Sequence, residues 1–193
     1  MDSRSGGNNF VLRSGWYMKH WKMYILSYIW SSLLIAQILL VFVFGMNPKA
    51  GLQAIRMAGW IIWGLSVILG WLPIFILKKK GGVGKGRSYV HTSVLVNSGL
   101  YAIVRHPQYT AGILFSLALI MLSQTWIVAV IGLVCIMLMY LDILKADKYE
   151  IQKFGDEYRR YMKKVPGMNF ILGVLRLLRN KRTVRKHNDE QVW

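Results

Sequence analysis

The sequence predicts an all-α integral membrane protein: a helical bundle with four spans, including a C-terminal helical hairpin, and cytosolic helices after it. Of the 193 residues, 54% are hydrophobic, yet the formal net charge is +17. The mean hydropathy is +0.35, and charged and apolar runs are segregated along the chain. A soluble basic domain or a nucleic-acid-binding protein would interleave them, so we expect a membrane protein without a nucleic-acid partner.

Four apolar runs define the predicted spans. Residues 21–44 and 52–77 are each long enough to cross the roughly 30 Å hydrocarbon core as a helix. Residues 109–122 and 126–144 are separated only by the polar residues 123–125, which predicts a tight helical hairpin. The third run is the shortest, because at 1.5 Å per residue it reaches only about 21 Å. If the hairpin turn lies at the far interface, the start of the third helix lies below the near membrane surface.

A polar stretch, residues 97–109, leads into that third helix. Pro107 disfavours helical geometry at the preceding residue, so we expect the helix to begin near Pro107 with His106 just outside it. The first backbone N–H groups of a helix have no intrahelical partner and carry partial positive charge. Arg105, His106 and Tyr109 cluster there, which suits an anionic or polar ligand. A polar segment at this depth must line a cavity or be covered by protein.

The basic residues alternate between the two sides of the predicted bundle. Four precede or open the first span, two follow it, six lie between the second and third spans, none lies in the hairpin turn, and thirteen follow from Lys145 onward. Cytosolic loops carry the excess of Lys and Arg, so this pattern predicts four spans with both termini in the cytosol. The polar stretch and the C-terminal segment then share the cytosolic face.

Several features follow the fourth apolar run or lie within it. Residues 147–161 have a helical pattern that Gly155 interrupts, and residues 170–178 have an amphipathic pattern typical of a helix at the membrane interface. Asp142 lies near the end of the run, where an acid is costly and by default functional, with an ion pair to Lys145 as the alternative. Cys135 is the only cysteine, which excludes an internal disulfide and a cysteine-based zinc site.

Two sequence blocks flank the hairpin. The first is Ser98-Gly99-x-Tyr101-x-x-x-Arg105-His106-Pro107-x-Tyr109, and the second is Phe154-Gly155-Asp156-Glu157-Tyr158-x-x-Tyr161 followed by Lys164-Val165-Pro166. In this order they make the chain similar to the membrane methyltransferases related to isoprenylcysteine carboxyl methyltransferase and to the phospholipid N-methyltransferases. The resemblance covers residues 89–173.

The resemblance implies S-adenosylmethionine as the cofactor and a lipid-like or prenylated acceptor that enters from the bilayer; no metal is needed. It also implies a single domain over residues 1–193, in which a two-span part with a basic loop (1–88) precedes a cofactor-binding core (89–173) and a basic tail (174–193). The positions that would line the cofactor pocket are Ser93, Val94, Leu95, Val96, Tyr101, His106, Pro107, Gln108 and Tyr109. The candidate catalytic residues are Asp147 and Arg105.

The chain departs from the family pattern in two places. Many relatives have a Glu-Glu pair where this chain has Ala146 and Asp147, and prenylcysteine enzymes place an arginine near the end of the fourth span, where Asp142 lies here. As a residue that would contact the substrate, Asp142 favours an amine head group over a carboxylate by charge complementarity. The alternative is that Lys145 takes the role of the relatives' arginine. Since residues five apart lie about 140° apart on a helix, at most one of the two acids should face the acceptor.

Three functions therefore remain open. Carboxyl O-methylation and amine N-methylation of a phospholipid compete as the reaction, and Asp147 is our first choice for deprotonating or orienting the acceptor. A non-catalytic relative that binds cofactor or lipid is the third possibility, for which Ala146 is the main support. Both acids could also simply pair with Lys145 and Lys148 at the interface.

Overall fold

The structure is a computed structural model, which describes residues 24–46, 51–84, 86, 88–89 and 92–179. The start of the first predicted span (21–23), the N-terminal tail and most of the basic tail (180–193) lie outside the described residues. Within them every regular element is a helix and there is no β-strand, which confirms the predicted all-α class. The helices are α1 (Tyr24–Val43), α2 (Gln53–Lys80), α3 (Pro107–Ser123), α4 (Trp126–Lys164) and α5 (170–179), with a short 3₁₀ turn at Gly99–Ala102.

Three of these helices are long and apolar enough to cross a membrane. They are Tyr24–Val43, Gln53–Lys80 and the first part of α4, Trp126–Phe154. The third predicted span, α3, is a shorter apolar helix of 17 residues, or about 26 Å at 1.5 Å per residue. The protein is therefore an integral membrane helical bundle, in which the third helix is short, as the sequence predicts.

The hairpin turn between α3 and α4 is tied to the loop between α1 and α2. Gln124 ends α3 in the left-handed conformation, with φ 50°. Its side chain accepts a hydrogen bond from the backbone N–H of Leu52 at 2.8 Å and donates one to the carbonyl of Leu52 at 2.9 Å. Ser123 Oγ donates to the carbonyl of Met46 at 2.6 Å. These contacts join the two connections at the same end of the bundle.

Small residues allow α2 to pack closely on α3. A Cβ atom at Gly59 would lie 3.2 Å from side chains of Leu122 and Met121, and one at Gly70 would lie 3.7 Å from Ala111. A Cβ atom at Gly64 would meet nothing within 4 Å. Of these three glycines, Gly59 and Gly70 therefore lie at the contact between α2 and α3, and Gly64 does not.

A buried polar side chain connects α1 to the hairpin. Gln37 of α1 is 0% exposed. It donates from Nε2 to the carbonyl of Val128 at 3.2 Å and accepts a hydrogen bond from Ser116 Oγ at 2.8 Å. Both its amide groups are therefore satisfied, as a buried polar group requires. The apolar cluster around this contact consists of Val41, Leu119, Leu122 and Val128.

Gly155 divides α4 into two helical parts, as the sequence predicts. Its backbone has φ 58° and ψ −132°, a conformation that residues with a Cβ atom adopt only with strain. Beyond this break, Tyr158, Tyr161 and Val165 form one buried apolar cluster, which packs against Leu95 and other residues. The break thus brings the second sequence block onto the segment that precedes α3.

The last helix, α5, packs against the bundle through its first turn. Phe170 contacts the buried cluster of Leu69, Leu100 and Ala111. At Gly173 a Cβ atom would overlap the carbonyl oxygen of Ile103, so only glycine permits this approach. The predicted apolar face is therefore divided: Phe170 is packed inside, while three of its side chains are exposed, namely Ile171, Leu175 and Leu178.

Candidate functional site

One cavity of about 280 Å³ lies where α1, α3, α4 and the segment before α3 meet. Its wall combines aromatic rings with a small number of charged groups. The residues that line it are Tyr24, Ser27, Leu77, Thr92, Val94, Leu95, Val96, Tyr101, Arg105, His106, Pro107, Gln108, Tyr109, Asp142, Lys145, Ala146, Tyr149, Glu150, Phe154, Tyr158 and Tyr161. A few polar groups in a largely apolar wall are typical of a small-molecule site.

Most of the positions proposed for the cofactor pocket lie on this wall, and one does not. Those on the wall are Val94, Leu95, Val96, Tyr101, His106, Pro107, Gln108 and Tyr109. Ser93 is the exception, because its hydroxyl donates to the carbonyl of Gly82 at 2.8 Å and its backbone N–H donates to Gly81 at 2.8 Å. These two bonds direct Ser93 towards the loop after α2, and its role in cofactor binding stays a prediction.

The N-terminus of α3 opens onto the cavity. Pro107 is the first helical residue, and His106 precedes it with φ −118° and ψ 64°, as Pro107 predicted. No side chain caps this helix end. The first amides of α3 therefore remain available to a ligand, together with the partial positive charge of the helix N-terminus.

The second sequence block holds the first one in place. The backbone N–H of Arg105 donates to the carbonyl of Pro166, and that of His106 donates to the carbonyl of Gly167, each at 3.0 Å. Tyr161 OH donates to the carbonyl of Tyr101 at 2.5 Å. Two blocks that are about 50 residues apart in sequence therefore form one structural unit beside the cavity.

Asp147 lies behind the cavity wall and is held by three side chains. Its Oδ2 accepts a hydrogen bond from Arg105 Nη2 at 3.0 Å. Its Oδ1 lies 2.7 Å from His106 Nε2 and accepts a hydrogen bond from Tyr158 OH at 2.6 Å. Both carboxylate oxygens are thus occupied, and Asp147 is absent from the lining residues. In this geometry the contacts of Asp147 are with Arg105, His106 and Tyr158, and its contact with an acceptor stays a prediction.

Arg105 lies on the wall itself, with a side chain that is only 10% exposed. While its Nη2 is bound to Asp147, its Nε is buried and has no hydrogen-bond partner among the described residues. A buried donor without a partner is costly, and it would be satisfied by an acceptor atom of a bound ligand.

Asp142 lies on the same wall in a different arrangement. It is 3% exposed, and its Oδ2 accepts three hydrogen bonds: from Ser27 Oγ at 2.5 Å, Trp30 Nε1 at 2.9 Å and Tyr109 OH at 3.2 Å. None of these donors binds Oδ1. The ion pairs formed by the described residues do not include the proposed partner Lys145. The carboxylate is therefore fixed by one oxygen and keeps the other for a further donor.

The buried tyrosine hydroxyls near the loop are kept protonated. Burial raises the pKa of Tyr101 and Tyr161, and burial followed by the hydrogen bond to Asp147 raises the pKa of Tyr158. A tyrosine with a raised pKa remains a donor throughout the physiological pH range. These rings therefore present neutral O–H groups and aromatic faces.

Part of the cavity wall was not predicted from the sequence. Tyr24 and Ser27 come from α1, more than 100 residues before Asp142, with which they share the cavity wall, and no local pattern signals the bond from Ser27 to Asp142. Tyr149 and Glu150 follow Asp142 by seven and eight residues, so helical spacing alone could have placed them on the same face. Among the described residues, no group of three His, Cys, Asp or Glu side chains is arranged to hold a metal ion.

The fold and the cavity define a class: an integral membrane helical protein with a cavity, lined by aromatic rings and a few charged groups, at one end of its helices. Residues 87–151 match the model of the isoprenylcysteine carboxyl methyltransferase (ICMT) family. A relative named protein-S-isoprenylcysteine O-methyltransferase, from Schizosaccharomyces pombe, is 31% identical over 99 residues, which are 47% of this chain and 42% of the relative. These findings confirm the family resemblance that the two sequence blocks predicted.

The match is partial in length. The aligned segment spans less than half of the relative, and the family model covers the part from the loop before α3 to the middle of α4. No solved structure matches the chain significantly.

Proposed function

We propose that the protein is an S-adenosylmethionine-dependent methyltransferase that acts on a lipid-like acceptor at the cytosolic face of the membrane. The observation that carries this proposal is that one cavity holds both the N-terminus of α3, with the unpartnered Nε of Arg105, and the open oxygen of Asp142. The match to the isoprenylcysteine carboxyl methyltransferase family supports the reaction class. In this proposal residues 89–173 form the cofactor-binding core.

The wall fits S-adenosylmethionine chemically. Arg105 Nε, His106 and the first amides of α3 suit the carboxylate of its methionine part. Tyr101, Phe154 and Tyr161 offer aromatic faces for its adenine. When bound, the cofactor supplies a methyl group on a positively charged sulfur.

The chain's own contribution is to position the reactants. In-line methyl transfer needs the acceptor atom aligned with the methyl group, and such alignment can contribute about 7–11 kcal/mol to a barrier reduction. The bonds from Asp147 to Arg105, His106 and Tyr158 fix the cofactor end of the wall. The bonds from Ser27, Trp30 and Tyr109 fix Asp142 at the acceptor end.

Two kinds of acceptor are considered for this site, one with a negative and one with a positive head group. A carboxylate acceptor, which the name of the matching family implies for its members, would be held by Lys145, which also lines the cavity. An amine head group is favoured by Asp142, because its open oxygen can accept a hydrogen bond from an ammonium and then its proton. N-methylation requires this proton loss, whereas a carboxylate is already a nucleophile. We therefore propose that an amine lipid is a better acceptor than a carboxylate.

The proposed topology gives a lipid acceptor access to the cavity. With both termini in the cytosol, the motif before α3 and the C-terminal helices lie on the cytosolic face. Because α1 contributes Tyr24 and Ser27 to the wall, the cavity extends to a membrane-spanning helix. A lipid can then leave its tail in the bilayer while its head group reaches Asp142.

Cofactor binding tests the proposal. We expect purified protein in detergent to bind S-adenosylmethionine in a calorimetric titration, and His106→Ala to weaken that binding at least tenfold. Trp71→Phe, a change at a side chain that is 64% exposed on α2, is the matched control and should bind as the parent does. A folded parent protein that binds no S-adenosylmethionine would refute the proposal. Binding without transfer to any acceptor would instead indicate a non-catalytic relative.

A further inference from the structure

Glu150 of α4 is a carboxylate on the cavity wall that the proposed function leaves without a role. It has no hydrogen-bond or ion-pair partner among the described residues. Lys153, one turn further on, is directed elsewhere, because its Nζ donates to Thr92 Oγ1 at 3.0 Å and lies 4.8 Å from the centre of the Phe154 ring. Arg105 and His106 are engaged with Asp147. A partly buried carboxylate without such a partner needs donors from a ligand or from water.

The surroundings of Glu150 are aromatic. Tyr101, Phe154, Tyr158 and Tyr161 share the cavity with it. Three effects raise the pKa of Tyr101: burial is the largest, the neighbouring Tyr89 is the second, and the charge of Glu150 is the third. Glu150 therefore lies close to the rings that would receive an adenine, at the loop end of the cavity.

Glu150 and Asp142 lie far enough apart to contact different parts of a ligand. Eight residues on one helix correspond to about 12 Å along its axis. Asp142 is at the end of the cavity that α1 completes through Ser27, whereas Glu150 is at the end that the tyrosines complete. One cavity thus has an acidic group for each of two ligand parts.

We infer that Glu150 binds the nucleoside part of the cofactor by accepting hydrogen bonds from its ribose hydroxyls. A carboxylate that receives ribose hydroxyls beside a ring-binding surface is a recurrent solution for nucleoside recognition. Hydroxyl donors satisfy both oxygens of Glu150 without requiring a compensating charge. This inference rests on the proposed function, because it assumes an adenosine-containing cofactor.

The test compares ligands that differ in one group. S-Adenosylhomocysteine has the ribose but lacks the positive charge on sulfur, and its 2′-deoxy analogue also lacks one hydroxyl. We expect Glu150→Ala to weaken binding of both S-adenosylmethionine and S-adenosylhomocysteine by about tenfold or more. Removal of the 2′-hydroxyl should weaken binding to the parent protein but leave binding to Glu150→Ala unchanged. Glu157→Ala, an exposed acid beyond Gly155 and outside the cavity, is the matched control.

Each outcome of these titrations decides the inference. Equal losses from the 2′-deoxy change in the parent protein and in Glu150→Ala would overturn it, as would normal binding by Glu150→Ala. Weaker binding of S-adenosylmethionine alone would show that Glu150 acts on the positive charge, which also overturns the ribose assignment. If the folded parent protein binds neither nucleoside, the proposed function itself fails, and the inference fails with it.

Discussion

Loss of Asp147 should destabilise the protein strongly, because it would leave a cation buried without its partner. The side chains of Arg105 and Asp147 are only 10% and 11% exposed. Removal of one partner of a buried ion pair costs about 3–5 kcal/mol. For a chain of this size each 1 kcal/mol lowers the melting temperature by about 2–4 °C, so Asp147→Leu should lower it by about 6–20 °C.

The exposed ion pair between Arg159 and Asp156 is a matched control for this change. Its side chains are 64% and 77% exposed, and such pairs contribute about 0–1 kcal/mol. Asp156→Asn should therefore lower the melting temperature by less than about 4 °C. Thermal unfolding of both variants in the same detergent, monitored by circular dichroism, compares them directly.

A double variant separates the buried charge from general damage to packing. Arg105→Met combined with Asp147→Leu removes both charges, so it should be more stable than Asp147→Leu alone. An Asp147→Leu protein as stable as Asp156→Asn would refute the reasoning. A double variant no more stable than Asp147→Leu would also contradict it, because the orphaned charge would then not be the cause.

Three further predictions concern the break in α4, the link to α1 and the topology. Gly155→Ala should destabilise the protein by about 1–3 kcal/mol through backbone strain and weaken cofactor binding, whereas unchanged melting and binding would show that the break is not required. Gln37→Ala should cost about 1–3 kcal/mol, since Val128 loses the Gln37 donor and Ser116 keeps only its 3.3 Å hydrogen bond to the carbonyl of Gly132; a melting temperature equal to that of the parent would exclude this link. A cysteine introduced by Thr125→Cys, with Cys135→Ala as background, should react with impermeant reagents only from the non-cytosolic side, and labelling from the cytosol would overturn the topology.

Local backbone chemistry made part of the site predictable. The start of α3 follows from Pro107, because the effect of proline on its own residue and the preceding one is local. The break at Gly155 follows from the conformational freedom of glycine. The hairpin follows from two apolar runs with a short polar turn. Each of these features depends on neighbours in sequence.

The remaining parts of the site depend on contacts between distant segments. Ser27 and Trp30 bind Asp142 across more than 100 residues, and nothing in the sequence of α1 marks them as its partners. Asp147 was assigned to the acceptor from its position in a sequence block, but Arg105, His106 and Tyr158 occupy both of its oxygens. Side-chain partners of this kind are decided by packing between helices, which periodicity does not encode.

The most direct measurement is methyl transfer from labelled S-adenosylmethionine by the purified protein in lipid nanodiscs. The acceptors offered should include a prenylcysteine and a phospholipid with a primary amine, each with the parent protein and with Asp142→Asn. We predict that label enters a lipid-like acceptor, that the amine lipid is the better one, and that Asp142→Asn lowers its labelling at least tenfold. Absence of label from every acceptor, with the cofactor shown to bind, would contradict the claim of a methyltransferase. Equal labelling by the parent protein and by Asp142→Asn would contradict the role of Asp142.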